Sequence, residues 1–171
     1  MILTGDEIRR EAAAGRILID PFDDSCVNPN SYNYHLGDTL LHLDSARSYD
    51  LSTGCSTQVP AKIPEAGITL EPGQLYLSHT RERLGSPHYV TSLIGKSSMG
   101  RLGLFLQLAA DLGHQGEVHH WTLELRPCLR VRLYAGMVIG QVSFWRPRGA
   151  QTRSGGYYAG FDRPQVSRGI R

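Results

Sequence analysis

Two short stretches of the chain hold side chains able to do chemistry. The first, GKSSMGRLGLFLQLAAD over residues 95–111, crowds Lys96, Ser97, Ser98 and Arg101 around glycines and then turns almost wholly apolar. Ser97 and Ser98 are of the residue type that caps a short helix, here one running to Arg101 or Leu102. The unpaired N–H groups at such a helix start attract anions, phosphate above all, and Lys96 adds a positive charge at the same place. The spacing also fits a plain polar turn whose serines only cap, because the full glycine pattern of a Walker loop is missing. The second stretch, VHHWTLELRP over residues 118–127, reads as a strand. Trp121, Leu123 and Leu125 point one way, while His120, Thr122, Glu124 and Arg126 point the other. Glu124 then stands mid-strand between two leucines, a partly desolvated setting in which a carboxyl can both take and give protons. The plainer alternative is a solvated strand face on which Glu124 pairs with Arg126 or with a neighbouring strand.

These groups need elements to hold them, and the rest of the chain supplies mostly strands. One helix is legible, over 4–14: Thr4 and Glu7 have capping-box spacing, alanines 12 to 14 favour helix, and Gly15 is placed to end it. Beyond it, short apolar runs cut by Gly, Pro, Asn and Asp predict strands over 34–43, 75–80, 89–94, 104–110, 118–126, 129–134 and 137–145. So many short strands with so little helix predict a sandwich or distorted barrel. Residues 45–73 read as an excursion with weak periodicity. The tail from Arg146 has no core pattern of its own, so it is either disordered or ordered by docking.

The 171 residues suit one domain. A net charge of +2 without a run of like charges argues against a nucleic-acid partner. No signal peptide or membrane span is expected, which points to the cytoplasm. Three scattered cysteines, Cys26, Cys55 and Cys128, suit reduced thiols. The zinc pattern of nucleobase deaminases, H-x-E followed by P-C-x-x-C, is not met: Pro127–Cys128 lacks its second cysteine. His114, His119, His120 and Cys128 could suggest a metal cluster, but His119 and His120 are neighbours on a strand and should face apart.

The pair GKSSMGRLGL and HWTLEL, at this spacing, resembles the signature of the dCTP deaminase family, relatives of the trimeric dUTPases. MILTGDEIRREAAAGRILIDPF resembles that family's first helix and strand, NPNSYNYHLG its next polar segment, and LYAGMVIGQVSF its late strand pair. GGYYAGFDRPQVSR is similar, less closely, to its C-terminal arm. The resemblance implies a mainly β fold, a distorted β-barrel or dUTPase-like β-clip with a short N-terminal helix. It also implies a homotrimer with sites between neighbours, and an arm, residues 146–171, that closes over bound nucleotide. The implied reaction is zinc-independent hydrolytic deamination of a cytosine nucleotide, dCTP to dUTP and ammonia or a related conversion. In that scheme Glu124 is general base and acid, Ser97 holds the attacking water, and Arg101 supports the pocket. Ala110 offers its carbonyl to the water or the departing amino group, Lys96 and Ser98 meet phosphates, His114 lies near the deoxyribose, and Tyr158 comes from the arm. No cofactor is held by the protein, and Mg²⁺ arrives, if at all, on the nucleotide phosphates. The family commonly has aspartates where His114 and Asn33 stand, and a lysine and a glutamine where the arm has Tyr157 and Phe161. Sugar and phosphate state of the substrate therefore stay open. So do two alternatives: a dUTP diphosphatase or bifunctional enzyme, and a catalytically inactive nucleotide-binding module.

Overall fold

The capping box at the start of the chain closes a helix over Gly5–Ala13: the Thr4 hydroxyl accepts from the Glu7 N–H at 3.4 Å, and Gly15, at φ +69°, turns the chain out of it. Only a residue without a Cβ adopts that left-handed conformation freely. The computed structural model of the chain describes residues 1–55, 58–107, 109–150 and 163–169.

Two five-stranded antiparallel sheets carry the fold. In the first, strands run in the order Leu104–Leu106, Thr122–Pro127, Leu75–His79, Thr39–Leu43 and Ala61–Lys62. In the second the order is Leu112–Gly113, Val90–Gly95, Val138–Trp145, Ser31–His35 and Val27–Asn28. A three-stranded sheet (Leu18–Asp20, Arg83–Gly85, Val118–His119) and a two-stranded one (Val131–Leu133, Ile68–Leu70) complete the strand pairing among the described residues. The layers meet in one apolar cluster that includes Tyr32, Tyr34, Leu93, Leu123, Leu125, Ile139, Val142 and Phe144, all at most 1% exposed. Tyr34 keeps its hydroxyl satisfied there by donating to the Ile94 carbonyl at 3.1 Å, which a buried phenol requires.

Several strands differ from the sequence reading, each for a visible reason. The run over 34–43 is two strands, split where the Leu36 N–H turns to the Met137 carbonyl and the Gly37 N–H to that of His79. The run over 104–110 stops at Leu106 because Gln107 takes φ +52°. The run over 118–126 breaks at His120–Trp121, where Thr80 takes over the pairing: the Trp121 N–H donates to the Thr80 hydroxyl at 2.9 Å and the Thr80 N–H to the Trp121 carbonyl at 2.9 Å. The chain thereby passes from the three-stranded sheet into the first five-stranded one. The excursion over 45–73 contributes the edge strand Ala61–Lys62 and Ile68–Leu70 of the two-stranded sheet. Its Cys55 N–H donates to the Ser167 carbonyl at 2.8 Å, so the excursion also holds part of the tail.

Candidate active site

Cross-strand partners project to the same face of a sheet, and this locates Glu124. Leu123 pairs with Ser78 and Leu125 with Tyr76, all buried on the core side. Glu124 pairs with Leu77, and Leu77 with Leu41, which puts these three in a row on the opposite face. Val166 of the tail packs on Leu41 and Leu77, and the Gln165 N–H donates to the Thr122 hydroxyl at 3.2 Å. Residues 163–169 therefore lie along the face that carries Glu124. Its side chain is half-buried, and among the described residues its carboxylate has neither an ion-pair nor a hydrogen-bond partner. The pairing with Arg126 that a merely solvated face offers is not made, since Arg126 is exposed and likewise unpaired among the described residues.

Gln107 fixes the surroundings of Glu124. Its main-chain N–H donates to the Glu124 carbonyl at 3.3 Å, and its side-chain Oε1 accepts from the Glu124 N–H at 2.8 Å. The same amide turns Nε2 toward the Ala110 carbonyl, 3.2 Å away. One side chain thus ties the Glu124 strand to the loop that carries Ala110, from a backbone at φ +52°, the left-handed region that non-glycine residues rarely occupy.

The serine turn departs in detail from the sequence reading. The helix covers Ser97–Arg101, its N-cap is Lys96, and no side chain caps it. Ser97 and Ser98 are the first two helical residues rather than caps, so both hydroxyls are left exposed and unbonded among the described residues. Arg101, at the helix end, is also exposed and unpaired among them. Lys96 reaches back across the sheet: its Nζ donates to Asn33 Oδ1 at 2.9 Å, and Asn28 Nδ2 donates to the same oxygen at 2.8 Å. Because Asn33 is neutral, it aims the ammonium without cancelling its charge. The turn approaches the Glu124 strand at Gly95, where an added Cβ would lie 3.5 Å from the side chain of Leu106, the cross-strand partner of Leu125. Within one chain no hydrogen bond or ion pair joins Ser97, Ser98 or Arg101 to Glu124 among the described residues.

His114 lies exposed in the turn after Leu112–Gly113. Tyr158, with Tyr157 and Phe161, lies outside the described residues. His119 and His120 face apart: His119 stacks on Trp121 with ring centroids at 4.2 Å, while His120 meets His79 edge-on at 5.9 Å. Burial holds the His79 imidazole below its ordinary value. No three His, Cys, Asp or Glu side chains among the described residues are grouped to hold a metal ion. Sequence reasoning missed Gln107, although a lone polar residue in the run LGLFLQLAA was the available sign, and it missed the aiming role of Asn33.

The family model described as dCTP deaminase-like matches residues 2–147 of this chain. The protein named dCTP deaminase of Rhodopirellula baltica is 42% identical over 149 residues, covering 87% of this chain and 74% of that one. The protein named dCTP deaminase, dUMP-forming, of Leptospira biflexa is 39% identical over 166 residues, 93% of this chain and 91% of its own. Among solved structures, 2'-deoxycytidine 5'-triphosphate deaminase from Agrobacterium tumefaciens matches with a TM-score of 0.66 and 23% identity over 84% of this chain. This chain spans about half of that structure's length, 47%, and the likeness shows the shared β fold.

Proposed function

The chain belongs to the dCTP deaminase-like family, and from that premise we propose that it hydrolyses the 4-amino group from a cytosine nucleotide of the dCTP class, with Glu124 as general base and acid. The observation that carries this reading is the half-buried carboxylate of Glu124, free of any partner among the described residues and held in place through its own backbone by Gln107. A carboxylate locked in a salt bridge would have to break that bridge before accepting a proton; this one does not. It takes a proton from water as the oxygen adds to C4 and delivers it to N3. It then carries the second proton from the new hydroxyl to the amino group, and ammonia leaves with the C4–N bond. Ser97 and the Ala110 carbonyl hold the water and the departing nitrogen, Arg101 steadies the pocket, and Lys96 and Ser98 take the phosphates. His114 stands at the sugar side. All the proton transfers fall to a positioned carboxylate and fixed hydrogen-bonding groups, so no metal held by the protein is required; Mg²⁺ would ride on the nucleotide.

The site is completed, in this reading, between copies of a homotrimer in the cytoplasm. Ile94 and Leu112 expose apolar surface on the outer face of the second sheet, 45% and 60% accessible, beside the serine turn, and such surface supports self-association. The three cysteines, unpaired in the fold, support a reducing compartment. The stretch 163–169 on the Glu124 face supports an arm that closes over nucleotide and brings Tyr158 to it. A second reading, release of dUMP rather than dUTP, draws on the name of the Leptospira relative.

Glu124→Gln keeps the side chain's shape and removes its basicity, so ammonia release from dCTP should fall at least a thousand-fold while the sedimentation coefficient stays that of wild type. Normal turnover by this variant, or loss of wild-type turnover after zinc chelation, overturns the reading. Product analysis on the same samples separates dUTP from dUMP with pyrophosphate.

A further inference from the structure

At the far end of the second sheet, the end of the N-terminal helix, the turn before Val90–Gly95 and the segment leaving Val138–Trp145 enclose a cavity of about 450 Å³ lined by Glu11, Arg16, His88, Tyr89 and Arg146. Its floor is locked. Glu11 is 4% exposed; Arg16 Nε and Nη2 donate to its two oxygens at 2.7 and 2.6 Å, and the Tyr89 hydroxyl donates to Oε2 at 2.7 Å. The walls are braced by Ser86, wholly buried, which donates to the Arg16 carbonyl and accepts from the His88 and Tyr89 N–H groups.

What the cavity offers a ligand is a surplus of cationic donors. Arg16 uses one edge of its guanidinium on Glu11, while its side chain stays 47% exposed. Arg146 lies over the Tyr89 ring, 5.9 Å from the centroid, with a single long hydrogen bond of 3.5 Å to the hydroxyl. Among the described residues no carboxylate pairs with it. The exposed His88 ring has no hydrogen-bond partner among them either. Two guanidiniums and an imidazole thus face one carboxylate that is already satisfied. Because these donors come from three separate chain segments, a tetrahedral oxyanion meets them better than a planar carboxylate does. The six-residue strand Val90–Gly95 lies between Tyr89 and Lys96, about 20 Å of chain, so this is not the serine turn. We infer that the cavity is a second ligand site, which binds the phosphate group of a small molecule.

The test is calorimetric titration of the full chain with inorganic phosphate in a Lys96→Gln background, which removes the positive charge of the serine turn. Adenosine monophosphate forms a second arm. Binding should persist in that background, weaken at least tenfold with Arg146→Gln added, and weaken three- to fivefold with His88→Gln, a rim variant whose packing is not at stake. Tighter binding of adenosine monophosphate than of phosphate identifies nucleotides as the source of the group; equal or weaker binding identifies free phosphate. Loss of all phosphate binding on Lys96→Gln alone, or binding untouched by both added substitutions, overturns the inference. Neither result bears on ammonia release, so the site and the deaminase reading fail independently.

Discussion

Gln107 shows how much a single side chain can hold. Its amide satisfies the Glu124 N–H and the Ala110 carbonyl at once, and removing it leaves both groups without these partners. Unmade bonds of this kind cost about 1–3 kcal/mol each when buried, and less where water can replace the partner. Gln107→Ala should therefore lower stability by about 1–2 kcal/mol in urea denaturation. If Gln107 positions the catalytic groups, kcat should drop at least tenfold with little change in KM, because the groups it orders act on the reacting atoms rather than on the phosphates. An unchanged kcat with the same loss of stability would reduce Gln107 to a structural role. Asn33 acts at the same scale on Lys96, as a neutral acceptor that fixes direction and leaves charge available.

Among the elements, the long strand Val138–Trp145 is the one on which the site leans, since it pairs on one side with the strand leading to Lys96 and on the other with the strand carrying Asn33. Gly140 lies at the register shift of that pairing. A Cβ there would run into the Tyr34 ring and hydroxyl and close on the Ile94 carbonyl, the pair joined by the buried hydrogen bond. Nothing nearby can yield, because Tyr34 is wholly buried. Gly140→Ala should cost about 3 kcal/mol, at the upper end of overpacking, and lower the melting temperature by several degrees. A melting curve unchanged from wild type would show that the strand pair has slack that its packing does not suggest.

For the whole molecule, the N-terminal helix is tied to the sheet by the Glu11–Arg16–Tyr89 cluster. The Arg16 guanidinium, aided by the Tyr89 hydroxyl, holds the Glu11 carboxyl down at about 2, against the opposing effect of burial. A carboxyl depressed on folding contributes stability that is complete above its ordinary value of 4.5 and is lost as pH falls toward about 2. Unfolding free energy should accordingly decline between about pH 4.5 and 2, and Glu11→Gln should flatten that decline while costing stability at pH 7. Guanidinium denaturation of both proteins at pH 3 and pH 7 reads the difference; parallel losses would remove Glu11 from the account. Assembly belongs to this scale as well. If copies associate through the exposed apolar face as proposed, Ile94→Glu, which places a charge on it, should give a smaller species in sedimentation and diminished turnover; an unchanged sedimentation coefficient would remove this face from the assembly.

The candidate site residues and the first helix are legible in the sequence because they sit in local patterns: alternation about Glu124, the donors crowded between Gly95 and Arg101, the capping box at Thr4. Local geometry determines such features, so the helix, most strands and the outward face of Glu124 follow from spacing alone. What the tertiary structure decided is everything that depends on residues distant in sequence. Gln107 stops its strand early because of what it bonds across the sheet, and the run through His120 and Trp121 breaks because Thr80 replaces its pairing. Asn33 meets Lys96 across 63 positions, and 163–169 comes back to the Glu124 face through Val166, Leu41 and Leu77. No periodicity encodes these meetings, since they are set by which strands pair and how the sheets pack.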